Sequence, residues 1–271
     1  EAHQRFKNRV DMGDLLLFKA QVYRDFYFDL DKAIETARYI TANIRGNTLT
    51  TQRAWLLMAE SYLMKGDTQN ATHMLQQITS GDLHGQALLL QARIRFWQHD
   101  WEGTRKKINE IIRTAGVQGN ITNDALSLLT LLNYGNSAPE ALTQYADADF
   151  LEYQKKYSRA LKKLEGLLVP QTPPDFRAQI ALHAAQLAIR LGEPEQALQD
   201  YNAILKDEEL RLYADEAMYR MARLLAFTLN KPQDAFQLLD KLLAEFPHSA
   251  FQDEARDLMQ LLRTQNPDLM P

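Results

Sequence analysis

Apolar residues recur at helical spacing along most of the chain, and the pattern is clearest over residues 52–79. Two amphipathic stretches lie there on either side of Gly66 and Asp67. Their apolar positions are Trp55, Met58, Ala59 and Tyr62 in the first stretch and Ala71, Leu75 and Ile78 in the second. Residues three and four positions apart share one face of an α-helix, so the pattern predicts two helices joined by a tight turn. Such a pair cannot bury its apolar faces alone, which predicts further pairs stacked on both sides.

A small residue marks the start of each predicted second helix, with apolar residues four and seven positions later. These small residues are Ala33, Ala71, Thr104, Ala160, Ala197 and Ala235. Most are about one repeat length, roughly 34 residues, apart. Small residues also precede five of them on the first helices: Ala59, Ala92, Ala148, Ala185 and Ala222. Short side chains let two helices approach closely near their turn, so both sets predict tightly packed helical hairpins.

The order of periodic segments predicts an all-α chain, because no segment alternates with period two over any length. We expect a first helix over residues 1–28 with a partner over 30–44, and a closing helix over 249–263. Hairpins are predicted over 52–79, 86–114, 139–168, 175–206 and 210–245, with an extra helix near 123–134. The proline-rich segment 169–174 is the strongest break. It divides the chain into N-terminal repeats over 1–168 and C-terminal repeats with a capping helix over 175–271.

Composition says more about which classes of partner are excluded than about the fold. With 271 residues, 45% of them apolar, the chain is long enough for one large or two ordinary domains. The formal charge of −4 argues against nucleic acid or an anionic membrane as the main partner. Cysteine is absent, which excludes thiol catalysis and disulfides and fits either redox compartment. No apolar run approaches the roughly 20 residues of a membrane helix, and an anchor upstream of Glu1 stays open.

The unit over 52–79 resembles a known repeat in residue types and in spacing. The residues that carry the resemblance are Trp55, Ala59, Tyr62, Gly66, Ala71 and Leu75. They are similar to those of the tetratricopeptide repeat, and the units at 185–204 and 222–247 match nearly as well. The resemblance implies a right-handed α-solenoid of stacked helix-turn-helix hairpins. It also implies a non-enzymatic scaffold or adaptor that binds a protein or peptide.

The C-terminal run over 238–263 resembles the ends of envelope repeat proteins of Gram-negative bacteria. These include the barrel-assembly lipoprotein and the cell-division coordinator that carries such repeats. The likeness implies a subunit of a larger cell-envelope assembly, in the periplasm or at the outer membrane of a Gram-negative bacterium. The alternative is a cytoplasmic regulatory domain of a larger protein, which senses a peptide or controls an attached effector domain.

No catalytic, cofactor-binding or metal-binding constellation is found in the sequence. The six histidines are scattered, without a pair four residues apart and without an HExxH motif. There is also no glycine-rich phosphate-binding motif that follows a predicted strand. We therefore expect no catalytic residues, no cofactor and no metal. An enzyme or a nucleic-acid-responsive regulator is kept as the least favoured hypothesis.

The candidate binding surface follows from the predicted stack. In stacked hairpins the first helices line the concave side, and residues not used for packing point into it. Spacing from the small residues selects Arg53, Leu56, Glu60, Gln86, Arg93, Phe96, Trp97, Gln186, Arg190, Tyr219, Arg223 and Phe227. The same spacing adds Asp149 and Tyr153 after the extra helix. Arginine and aromatic residues carry most of the energy at protein interfaces. In the competing interpretation the aromatic rings pack against adjacent helices and the arginines are solvated.

A second candidate surface is the aromatic segment YRDFYF over residues 23–28. It could dock the chain into a larger assembly, or it could form the N-terminal core. Exposure of three of its aromatic side chains in a structure would favour docking.

Overall fold

The architecture is a succession of α-helices in a computed structural model that describes residues 10–44, 48–115 and 119–267. These residues form no strand. The α-helices are α1 (Val10–Asp25), α2 (Leu30–Asn43), α3 (Thr48–Lys65), α4 (Thr68–Leu75), α5 (His84–Trp97), α6 (Trp101–Ala115), α7 (Asn120–Tyr134), α8 (Pro139–Tyr153), α9 (Tyr157–Glu165), α10 (Pro174–Leu191), α11 (Pro194–Lys206), α12 (Ala214–Phe227), α13 (Pro232–Glu245) and α14 (Gln252–Gln265). A 3-10 helix (Glu208–Tyr213) precedes α12.

The predicted small residues lie in the hairpin cores. Ala33, Ala71, Thr104, Ala160, Ala197 and Ala235 have no accessible surface, and neither have Ala59, Ala92, Ala148, Ala185 and Ala222. The apolar residues four and seven positions after the first set are also buried, as Leu75 and Ile78 illustrate. Side chains of this size at both positions allow the close helix approach that the sequence pattern requires. The burial of both sets is what the predicted hairpins require.

Local sequence explains how two of the hairpins turn. Gly66 has a φ of +87° and Gly192 a φ of +78°, which are left-handed conformations that favour glycine. Asp67 then caps α4, since its Oδ1 accepts the backbone N–H of Asn70 at 3.0 Å. Pro194 lies in the first turn of α11, where the missing N–H has no helical partner to lose.

Contacts divide the chain into two units. The first comprises residues 1–136 and 149–156, and the second comprises 137–148 and 157–271. In the first unit each helix from α1 to α7 packs against the next, and in the second unit α9 to α14 do the same. This succession of neighbours confirms the all-α stack of hairpins. The predicted division at residues 169–174 stays a prediction.

Two element boundaries differ from the prediction. The first helix ends at Asp25 rather than at residue 28, because Phe28 has a φ of +52° and cannot continue a right-handed helix. Leu210 lies in the 3-10 helix instead of starting α12. The predicted helix over residues 1–9 lies outside the described residues. Within those residues, no helix combines the length and the apolar character needed to cross a membrane.

Candidate partner-binding surfaces

The structure sorts the predicted surface residues by exposure. Arg53, Gln86, Gln186, Arg190, Arg223 and Phe227 are exposed, Leu56, Glu60, Arg93 and Tyr219 are partly buried, and Phe96 and Trp97 are buried. Most of the predicted positions are therefore accessible. The two buried aromatic residues differ from the rest and correct the prediction.

Phe96 belongs to the hairpin core. Its side chain has no accessible surface, and its ring packs edge-on against Trp101 at a centroid distance of 5.5 Å. Trp101 is the first residue of the following helix α6, so the contact joins the two helices of one hairpin. Phe96 cannot contact a partner in this conformation.

Trp97 is covered by the end of α8. It is 5% exposed, and its ring stacks on Phe150 at a centroid distance of 4.7 Å. The indole Nε1–H donates to Asp149 Oδ2 at 2.6 Å, and the ring of Tyr153 lies 5.0 Å away. Buried indole groups need such an acceptor. Trp97, which was expected to face a partner, therefore contacts residues of its own chain instead.

Arg93 joins the same group, which we call the Arg93 cluster (Arg93, Trp97, Asp149, Phe150 and Tyr153). Its Nη2 donates to both carboxylate oxygens of Asp149 at 3.1 Å. The guanidinium also lies 5.0 Å from the Trp97 ring and 5.5 Å from the Tyr153 ring, distances typical of cation–π contacts. Burial works against the charge on Arg93, but the Asp149 carboxylate keeps the pKa of Arg93 above its usual value.

Glu60, another predicted surface residue, interacts electrostatically with Tyr153 of this cluster. Its carboxylate accepts a hydrogen bond from Arg24, and Arg24 also pairs with Asp25 at 2.7 Å. Burial raises the pKa of Glu60, and the charge of Arg24 opposes the rise. Burial likewise raises the pKa of Tyr153, and the charge of Glu60 adds to the effect. Sequence spacing selected Glu60, Arg93 and Tyr153, but it gave no signal for Arg24 or Phe150.

A different arrangement is found on α12, in the second unit. Tyr219, Arg223 and Phe227 follow one another at four-residue spacing and therefore share one helix face. Tyr219 stacks on Phe251 at 5.2 Å, and the Arg223 guanidinium lies 6.0 Å from the Tyr219 ring. Arg223 forms no salt bridge with any residue that the structure describes, and Phe227 is 56% exposed. We call Tyr219, Arg223 and Phe227 the α12 stripe.

The four remaining predicted residues that are exposed lie on three other helices. Arg53 lies on α3, Gln86 on α5, and Gln186 and Arg190 on α10. Arg190 places its guanidinium 5.3 Å from the Tyr157 ring.

The aromatic segment over 23–28 meets the condition stated for docking, because Phe26, Tyr27 and Phe28 are all more than half exposed.

Comparison with known protein families identifies two of the repeats. The family model described as tetratricopeptide repeat matches residues 53–80 and 216–249. These two stretches of the chain are tetratricopeptide repeats. The first match covers most of α3 and all of α4, and the second covers α13, most of α12 and the whole α12 stripe.

Comparisons with curated proteins and with solved structures add little to this family match. A comparison with curated proteins finds no significant match. Among solved structures, the chain is similar to the crystal structure of the P58(IPK) TPR domain, with 16% sequence identity and a TM-score of 0.39. The similarity covers 94% of this chain and 65% of that chain. This chain thus spans less than two thirds of the length of that structure.

The Arg93 cluster and the α12 stripe offer ion pairs and ring contacts. In the described ranges, no group of three or more His, Cys, Asp or Glu residues is placed to hold a metal ion. Both groups of functional interest combine arginine with aromatic rings. The difference between them is that the Arg93 cluster is satisfied by the chain itself, whereas the α12 stripe presents its arginine and Phe227 to solvent.

Proposed function

We propose that this protein is a non-enzymatic scaffold that binds a protein or peptide through the α12 stripe. The observation that carries the proposal is the exposure of Arg223 and Phe227 on the face that Tyr219 shares. Arg and aromatic residues dominate binding energy when a partner removes them from water. The family match over 216–249 supports the proposal, because tetratricopeptide repeats mediate protein interactions.

The chemistry of the stripe indicates the kind of partner segment that fits. The Arg223 guanidinium lacks a carboxylate from the described residues, so a partner carboxylate would form a charge-assisted hydrogen bond there. The stacked Tyr219 and Phe251 rings offer a flat apolar surface beside it. We therefore expect an acidic residue next to an apolar or aromatic residue in the bound segment.

The test is capture of the native partner by an Arg223→Ala/Phe227→Ala variant, followed by titration of the identified partner. We expect affinity to fall by at least about tenfold, since truncation of one interface anchor commonly costs 1–2 kcal/mol or more. The matched control is Leu212→Ala/Lys231→Ala, which removes one exposed apolar and one exposed cationic side chain outside the stripe. Undiminished partner recovery by the stripe variant, in a folded protein, would place the binding site elsewhere.

The proposal extends to location in a Gram-negative cell envelope, as a subunit of a larger assembly. It rests on the likeness of residues 238–263 to the ends of envelope repeat proteins. Cell fractionation of the native organism tests it, with a periplasmic or outer-membrane-associated pool as the expected result. Recovery in the cytoplasm with an attached effector domain would instead favour the regulatory function.

A further inference from the structure

Helix α1 carries apolar side chains on two faces. Met12, Leu16, Leu17 and Ala20 are buried in a core formed with α2 and α3. A second set, Leu15, Phe18, Val22 and Phe26, follows the spacing of one helix face. Of this set, Leu15 is 57%, Phe18 64% and Phe26 75% exposed. A helix that is apolar on both sides is normally covered on both sides.

The turn after α1 extends this exposed face. Tyr27 and Phe28 are 64% and 59% exposed, and the rings of Phe26 and Tyr27 contact each other at a centroid distance of 5.1 Å. The backbone of the turn is fixed, because the N–H groups of Phe26 and Tyr27 both donate to the Val22 carbonyl. We call Leu15, Phe18, Val22, Phe26, Tyr27 and Phe28 the α1 patch.

The α1 patch is at the upper end of the apolar patches that monomers expose and approaches one side of a protein interface. A large aromatic side chain can bury roughly 150–250 Å². The exposed fractions of the patch residues therefore amount to an area on the order of 600 Å². A standard interface takes about 800 Å² from each partner, whereas the largest apolar patch on a monomer is commonly about 300–600 Å².

We infer that the α1 patch binds the α1 patch of a second copy of this chain, with the two α1 helices side by side in the same direction. In this arrangement each apolar residue meets its own equivalent, with Val22 facing Val22 near a two-fold axis. Asp14 and Lys19 lie on opposite edges of the stripe and five residues apart. These are the positions that form salt bridges between parallel helices.

The charges around the patch agree with a second copy. Lys19 is exposed and forms no salt bridge with a described residue, although its ammonium lies 5.6 Å from the Tyr23 ring. Asp14 is also exposed, and its Oδ1 accepts a hydrogen bond from Thr50 Oγ1 at 2.7 Å; in the dimer its carboxylate meets Lys19 of the second copy.

An anionic membrane is a poorer occupant, because the nearby Asp25 and Asp31 pair with Arg24 and Lys65, so these four charges balance. Anionic lipid is attracted by clusters of basic residues in excess.

Sedimentation velocity of the full chain over a dilution series tests the association. We expect a dimer for the unmodified chain and a monomer for Phe18→Asp/Phe26→Asp, with unchanged helical circular dichroism. The matched control is Leu212→Asp, which charges a side chain that is 79% exposed in the second unit, and it remains a dimer. A monomeric unmodified chain, or a dimer that survives Phe18→Asp/Phe26→Asp, would overturn the inference.

Cysteine cross-linking tests the register, and the absence of native cysteine removes any background. Under mild oxidation we expect Val22→Cys and Phe18→Cys each to form a disulfide with its own equivalent, whereas Leu212→Cys does not. Disulfide geometry demands Cα atoms within about 7 Å, so cross-linking reports close approach. A disulfide that forms only between Phe18→Cys and Phe26→Cys chains would contradict the same-direction pairing. Binding of the monomer to anionic vesicles through the patch would contradict the second copy as occupant.

Discussion

A single buried carboxyl group on α11 is the least satisfied polar group that the structure describes. Asp200 is 6% exposed, and its Oδ2 has no hydrogen-bond partner. Its Oδ1 accepts a hydrogen bond from Gln196 Nε2 at 3.1 Å. Burial raises the pKa of Asp200 to about 6; the Gln196 hydrogen bond opposes the rise, and the charge of Glu165 adds to it. The folded chain therefore disfavours the charged form of Asp200.

Replacement of Asp200 by asparagine is expected to stabilise the protein at pH 8 by about 1–2 kcal/mol, somewhat less than the full pKa shift implies. The ordinary pKa of Asp is about 3.9, so the charge penalty is complete above the folded pKa of about 6. The penalty shrinks as the pH falls and is absent below about 4. Urea unfolding at pH 8 and pH 4 measures the difference.

The same comparison contains its own control, because the unmodified protein and the Asp200→Asn variant should converge in stability near pH 4. A variant that is less stable at pH 8 than the unmodified protein would show that the carboxylate has a favourable partner. Gln196→Ala provides a second check. It removes the one hydrogen bond that favours the charged form, so it should raise the pKa of Asp200 further.

At the scale of the element, the hairpin of α3 and α4 buries one small residue on each of its helices. Ala59 on α3 and Ala71 on α4 have no accessible surface, and the two helices pack directly against each other. Close-packed interiors tolerate lost volume and added volume equally poorly. Core packing is therefore expected to contribute more to the stability of the hairpin than its surface charges do.

An Ala71→Leu substitution is expected to lower the free energy of unfolding by about 1–3 kcal/mol, because the added atoms force α3 and α4 apart. Urea or thermal unfolding measures this loss. The control is Gln69→Leu, which places the same leucine side chain at an exposed position of the same helix. It should change stability by less than about 0.5 kcal/mol. Equal effects of the two substitutions would show that the helices do not meet closely at Ala71.

At the scale of the whole molecule, the helices α1 to α7 of the first unit and α9 to α14 of the second pack mainly against their neighbours in sequence. One apolar core holds residues of α1, α2 and α3, and another holds residues of α12, α13 and α14. Stability in such repeat proteins is approximately a sum of local repeat and neighbour contributions. A destabilising substitution in one hairpin should therefore lower the local stability mainly of that hairpin and its neighbours.

Hydrogen exchange of an Ala235→Leu variant tests this locality. Ala235 is fully buried in α13, so overpacking should lower protection of the α12, α13 and α14 amides. Amides of α1, α2 and α3 should keep the protection that they have in the unmodified chain. A uniform loss of protection over both units would show instead that the chain unfolds as one cooperative body.

Much of the fold could be predicted because helical spacing is local. The positions of Ala33, Ala71 and Ala235 predicted the hairpins, since spacing fixes the angle of each side chain about its helix axis. The same reasoning placed Arg223 and Phe227 on an accessible face. The prediction that Phe96 and Trp97 are accessible was wrong, because helical spacing does not show which other segment covers a residue.

The sequence by itself thus determined the fold class, the hairpins and the faces on which arginine and aromatic residues would lie. Only the tertiary structure decided which of those faces are free. Arg93 and Trp97 meet Asp149 more than fifty positions later, and Phe26–Phe28 are left uncovered. The physical reason is that side-chain direction follows from a few neighbouring residues, whereas burial depends on segments that only folding brings into contact.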